Sequence, residues 1–517
     1  MTTSQAAPAP AATKLRAGST HSLLDRPWVV LALLAIVAVA ARYVTFGNPA
    51  LGYDEQFYLL VGDRMVQGDL PYVDIFDRKP IGIFLIYAGA RLLGGTGFLE
   101  YKLVALLFVI ATAWLIYAMA RHRAGRFGAM LAAALYIFWL NFLEGEGGQT
   151  QVFYNIFMLG AAAVLFAAMR NPLRLWLRGA AAMLLVGIAI QIKYSVIFEG
   201  MFFGCAFLWL AWRHGAAWYR LVLLSLLWVA ITLAPTALAL LYYWANGQLD
   251  AFVFANFISI FGQSRGPLLG QIPYLLNVSA ILLPLGLVGL IGRAGLRRDV
   301  GDEARLLRGW LLASIFGVLI YWRFNSPHYV LPVLPPFCLL LAPALDHRRR
   351  LGAGFAALAF VVGQAVQYNM IQLKGGGAEM RAVAAAAMPR LGCIFVYNAY
   401  PGLYMMTNSC LPSRWSFPGH FNTLDENNPK ALGVDPVREL KAIMARNPDA
   451  VIDTFPPFAR GNRAARAELH AVLHARYTPV LCVPTNRSRT RVVYRLKSDP
   501  WPRQLDRCPP EAFQLPH

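Results

Sequence analysis

Charge is scarce in this sequence. Of 517 residues only 14% are Asp, Glu, Lys or Arg, and only 27 are acidic. A soluble domain carries about a quarter charged residues, so a water-covered globular body of this length is excluded. Also missing are a phosphate-cradling Walker loop, a zinc-ligand spacing and a nucleophile elbow. No internal repeat is visible, and cysteine is sparse at six. What remains is apolar: 57% of the chain is hydrophobic and the mean hydropathy is +0.48. The few charges are unbalanced, with 47 Lys+Arg giving a net charge of +20. In a soluble chain that excess points to nucleic acid. In a membrane chain it is first a matter of topology, and nucleic acid is not an expected partner.

A helix that crosses a bilayer needs about 20 mostly apolar residues. Runs meeting or approaching that length fall at 28–46, 101–120, 127–143, 152–169, 179–192, 195–212, 221–245, 273–292, 309–323, 329–345 and 351–371, about eleven spans in all. Basic residues gather in alternate loops, as at Arg121, Arg123 and Arg126, at Arg170, Arg174 and Arg178, and at Arg348, Arg349 and Arg350. The positive-inside rule then places the N-terminus in the cytoplasm and everything after about 372 outside. On this topology the short apolar run Ile81–Leu93 is an interfacial or partly inserted helix on the outer side. A cleavable signal peptide is the alternative for 28–40, and it leaves the downstream topology unchanged.

Cys205 and Cys338 fall inside spans and read as small apolar core residues. Cys393, Cys410, Cys482 and Cys508 all lie in the stretch assigned to the outside, where an oxidising compartment allows one or two disulfides. Their pairing is not readable from sequence. That stretch alternates short strand signals (393–397, 450–453, 480–483, 492–494) with helical ones (379–387, 435–446, 462–475), the pattern of a small α/β domain.

The chemistry concentrates in the first outer loop, from Gly52-Tyr53-Asp54-Glu55 to Asp77-Arg78-Lys79-Pro80. Asp54 and Glu55 open a helix-like segment. N-capping and helix-dipole complementation explain acids there as well as function does on pattern alone. Paired carboxylates followed by Lys-Pro at a membrane surface point further. A carboxylate can serve as general base on an acceptor hydroxyl, others can hold a divalent ion, and a lysine can neutralise a phosphate as a point charge. Lys193 lies at an outer membrane edge, where snorkelling competes with ligand binding. Arg323, His328 and Tyr329 sit at another such edge, where interfacial anchoring competes with phosphate contact. The aromatics of 250–265 read as surface packing, or as the lining of a lipid-tail groove.

Tyr53-Asp54-Glu55 with Tyr58 after the first span, followed by Asp77-Arg78-Lys79-Pro80, resembles the first extracytoplasmic loop of lipid-linked-sugar glycosyltransferases of the GT-C fold. Protein O-mannosyltransferases, aminoarabinose transferases and Rgt-type transferases belong to this group. Lys193-Tyr194 is similar to the family's glycine–apolar–lysine segment, and Ser326-Pro327-His328-Tyr329 with the prolines after it to its late outer loop. The resemblance covers about 28–345. It implies an all-α polytopic membrane domain with a small C-terminal extracytoplasmic α/β domain. The divisions are 1–27 as a cytoplasmic tail, 28–371 as the transmembrane glycosyltransferase domain with its catalytic loop at 47–100, and 372–517 as the outer domain.

It further implies an inverting enzyme that moves a sugar from a polyprenyl-phosphate donor to an envelope acceptor (lipid, glycan or protein) on the outer face of the inner membrane. Asp54 and Glu55 would be catalytic, and Lys79, Lys193, Arg323, His328 and Tyr329 would meet the donor phosphate. Asp77 would hold a divalent cation (Mg or Mn). Two departures stand out: Arg78 fills the place where aminoarabinose transferases carry an acid before Lys-Pro, and Gln151 fills the place of another acid, with Glu144 and Glu146 upstream. A transporter or flippase of a lipid-linked or polar solute is the alternative, against which stand the acids clustered outside and the absence of paired repeats.

Overall fold

The computed structural model describes residues 26–264, 266–294, 301–457, 460–485 and 489–513. Arg265 and most of the proposed cytoplasmic tail lie outside them. Nine helices among the described residues are long and apolar enough to cross a membrane, the mark of a multi-pass membrane protein. Two shorter apolar helices, Arg126–Leu140 and Leu175–Ile190, with 15 and 16 residues, make up the eleven runs read from sequence. Cys338 is buried as expected, but Cys205 is exposed, because it faces away from the neighbouring helices.

The first loop is organised by two helices that run the same way. Helix α1 (Pro27–Arg42) opens with proline at its first turn, where no amide donor is needed. Helix α2 (Tyr53–Val66) follows Gly52. After a return segment, α3 (Ile81–Arg91) starts at Pro80. Tyr58 packs on Phe84 and Tyr87. A Cβ added at Gly62 would lie 2.6 Å from the Ala88 backbone nitrogen, so only glycine admits this close approach. Position 58 therefore lies beside 84–87 and 62 beside 88, which sets the N-terminal ends of α2 and α3 side by side. The apolar run at 81–93 forms helix α3, with Ile83, Phe84, Tyr87 and Ala90 buried.

The C-terminal part forms a four-stranded sheet ordered β1-β2-β4-β3, with β1 Ile394–Val396, β2 Ala450–Phe455, β3 Tyr477–Pro484 and β4 Thr490–Leu496. β1 and β2 are parallel, pairing Phe395 with Val451, and the other pairings are antiparallel. Side chains alternate across the sheet. Ile394, Val396, Ile452 and Val493 join the core shared with the helical part. Phe395, Val451 and Tyr494 pack instead against helices Pro436–Ala445 and Arg463–Arg476 through Leu440 and Leu469. Disulfides Cys393–Cys410 and Cys482–Cys508 staple this sheet region.

Candidate functional site

Gly52 takes the N-cap of α2 in a left-handed conformation, φ 79°, with no side-chain cap. Asp54 is therefore not the N-cap, although it stays in the first turn, where the helix dipole favours an acid. Asp54 is half-buried in the first turn and makes no hydrogen bond or ion pair among the described residues. Its charge acts on Lys79, Lys193, Tyr58 and Tyr329, which places all five groups around one space.

That space is rich in cations. Lys79 Nζ lies 4.0 Å from Asp77 Oδ1 and 5.4 Å from the centre of the Tyr58 ring. Lys193, only 6% exposed, stands 3.9 Å over the ring of Tyr329, which in turn stacks on Tyr321 at 5.0 Å. No carboxylate pairs with Lys193 among the described residues. Burial, and then the charges of Lys79 and Arg323 against that of Asp54, pull its ammonium well below the usual lysine range. An anion placed among Lys79, Lys193 and Arg323 would relieve that repulsion. The first turns of α2 and α3 supply a favourable field for it as well. Arg323 also lines a cavity of about 440 Å³, together with Tyr194, Phe261, Leu268 and Tyr321. The aromatics of 250–265 split their roles. Phe252 packs on Tyr243 at 4.7 Å, whereas Phe261 is 85% exposed beside that cavity.

Glu55 points elsewhere. It is 2% exposed and accepts a 3.1 Å hydrogen bond from the Tyr101 hydroxyl. Cβ atoms at Gly52 or Gly147 would collide with its carboxylate. Burial, then repulsion from Glu146, push its carboxyl up to about 7. Around it lie two basic residues that sequence reasoning passed over. Arg42 donates to the carbonyls of Gly145 and Gly147 at 2.9 and 2.7 Å. Lys102 donates to those of Thr45 and Asn48 at 2.6 and 2.9 Å. The signal was available, since an ionisable residue inside an apolar span is a functional hypothesis by default.

His328 is not brought to the cations. Its Nδ1 sits 3.4 Å from Glu144 Oε2, and Lys374 lies 3.8 Å from the other oxygen. Asp77 Oδ1 accepts from the backbone amides of Arg78 and Lys79. With those contacts and the Lys79 ammonium beside it, Asp77 lacks the companion ligands a hard cation requires. No group of three or more His, Cys, Asp or Glu that could hold a metal occurs among the described residues. The residues present do not fit the Mg or Mn site that Asp77 was expected to form.

Arg78 is engaged by the C-terminal part and by Ser259. Its guanidinium makes a two-pronged ion pair with Glu426, Nη1 to Oε1 at 2.8 Å and Nη2 to Oε2 at 2.6 Å, and Nε donates to Ser259. No local sequence signal marks Glu426, which lies 348 residues away.

With its apolar helices of span length and small C-terminal sheet region, the chain has the fold of the GT-C type. In particular, the chain is similar to ArnT from Cupriavidus metallidurans. With the crystal structure bound to undecaprenyl phosphate it shares a TM-score of 0.62 at 16% identity, over 92% of this chain and 99% of that one. With the apo crystal structure the values are 0.59, 15%, 90% and 97%. No protein-family model and no curated protein matches the sequence.

Proposed function

We propose that this chain is a membrane glycosyltransferase that takes a sugar from a polyprenyl-phosphate donor and passes it to an envelope acceptor on the outer face of the inner membrane. One observation carries the reading: Asp54, an unpaired carboxylate, faces Lys79 and Lys193, and Lys193, which also feels the charge of Arg323, has no carboxylate partner among the described residues. Likeness of fold to a protein solved with undecaprenyl phosphate bound supports it. The two disulfides support an outer location for 372–517.

The donor's lipid stays in the bilayer, with the 440 Å³ cavity as its entry. Its phosphate meets Lys79, Lys193 and Arg323, with the Tyr329 ring holding Lys193 in place. Asp54 takes the proton from an acceptor hydroxyl as that oxygen bonds to the anomeric carbon. The bond from that carbon to the phosphate oxygen breaks, and its electron pair leaves on the phosphate, whose charge the three cations neutralise. Attack opposite the leaving phosphate inverts the anomeric centre. Glu55 supports the turn that carries Asp54, and His328, held by Glu144, packs against the Tyr329 ring at 4.7 Å. No step is assigned to a cation.

The test is incubation of the purified full-length protein with labelled polyprenyl-phosphate sugars and an envelope extract. Transfer of label to an acceptor, with release of polyprenyl phosphate, is expected. Binding or translocation with the glycosyl–phosphate bond intact would mean a transporter or flippase instead.

A further inference from the structure

Resting on the donor-site reading above, we propose that Glu426 is a positioning residue through which the C-terminal part sets the donor-phosphate site, holding Arg78 directly and Arg323 by way of Gln263. Both oxygens of Glu426 are filled. Beyond the ion pair with Arg78, Oε1 accepts from Gln263 Nε2 at 2.7 Å, and Gln263 Oε1 accepts from Arg323 Nη2 at 2.9 Å. A single carboxylate, its side chain 8% exposed, thus joins the residue before Lys79 to one of the three phosphate-facing cations. Two-pronged arginine–carboxylate pairs fix direction as well as distance.

The turn that carries Glu426 is itself held firmly. Asn422 donates to the Tyr397 carbonyl at 2.9 Å beyond the end of β1. Leu424 N–H donates to the Arg460 carbonyl, and Ser264 N–H to that of Asp425. The arrangement also accounts for Arg78 standing where an acid was expected: its charge is matched from the C-terminal part, which leaves Lys79, beside Asp77, as the cation of the pair that faces Asp54. Tyr72 fixes the backbone there by donating to the Lys79 carbonyl at 2.7 Å.

Positioning and plain electrostatics predict opposite signs. Removing an acid from beside a cationic site strengthens anion binding if only charge matters. If Glu426 acts by holding Arg323, its removal weakens binding, because charge-assisted contacts depend on geometry. The experiment measures the affinity of the purified full-length protein for undecaprenyl phosphate by intrinsic tryptophan fluorescence. Glu426→Ala is expected to weaken binding about tenfold, the scale of one charge-assisted hydrogen bond. Gln263→Ala, which leaves the Arg78 ion pair intact, is expected to weaken it as well.

Adding Arg323→Gln to Gln263→Ala should weaken binding no further than Arg323→Gln alone, since residues acting through one another are not additive. Unchanged or tighter binding in both Glu426→Ala and Gln263→Ala would overturn the proposal, as would additive losses in the double variant. If Arg323→Gln itself leaves binding unchanged, the donor-site reading fails first, and that result is distinct from the other two.

Discussion

Asp54 and Glu55 are consecutive residues in the first turn of one helix, and they inhabit opposite electrostatic worlds. Successive helical side chains diverge by about 100°, so one carboxylate faces Lys79 and Lys193 while the other is sealed beneath the loop with Glu146, Tyr101, Arg42 and Lys102. The Asp54 face has cations in excess and a carboxylate with no protein partner. The Glu55 face has its acids and bases matched and its hydrogen bonds directed at backbone carbonyls. A site that awaits an anionic ligand is left incomplete by the protein, whereas one that holds a loop is completed by it. The pair shows why "Asp-Glu" in sequence cannot be given one role.

This contrast breaks most heavily on the Glu55 side. Arg42→Met or Lys102→Met removes a buried cation and its two hydrogen bonds to loop carbonyls and should cost roughly 3–5 kcal/mol of stability, at about 1.5–3 for each charged hydrogen bond, read as a large fall in the thermal-aggregation midpoint in detergent. Next comes pH. With its folded pKa pushed up to about 7, against about 4.3 for free glutamate, Glu55 takes up a proton on folding between those values. The fold should therefore lose stability as pH rises through that window and level off above it. Glu55→Gln should abolish this slope, on the order of 2–3 kcal/mol, and thermal midpoints from pH 5 to 8 would show it. The smallest effect lies on the other face. Lys193→Met should weaken undecaprenyl phosphate binding about 10- to 100-fold with the thermal midpoint nearly unchanged, because it removes a charge that repels its neighbours.

Periodicity and composition were enough for the helical body, since apolar runs of span length have few alternatives in folding. They were enough for the sheet region too: the strand expected at 450–453 is Ala450–Phe455 and the helix expected at 462–475 is Arg463–Arg476. Even the short run at 81–93 was placed, as α3. The cysteines read as disulfide-forming are paired, but only the fold says which with which. Partnership across the chain stayed hidden. Local pattern carries nothing that links Arg78 to Glu426 or turns His328 toward Glu144. Nor does local pattern tell that Asp54 and Glu55, one residue apart in the first turn of α2, have different surroundings, the second being buried against Tyr101.

The most direct measurement follows a single turnover of labelled polyprenyl-phosphate sugar by wild type, Asp54→Asn and Glu55→Gln, with undecaprenyl phosphate affinity determined on the same preparations. The account predicts that Asp54→Asn binds the phosphate normally and transfers about 10²- to 10⁴-fold more slowly, while Glu55→Gln keeps most of the rate per folded molecule. Near-normal transfer by Asp54→Asn, or its loss in Glu55→Gln with Asp54→Asn intact, would contradict it.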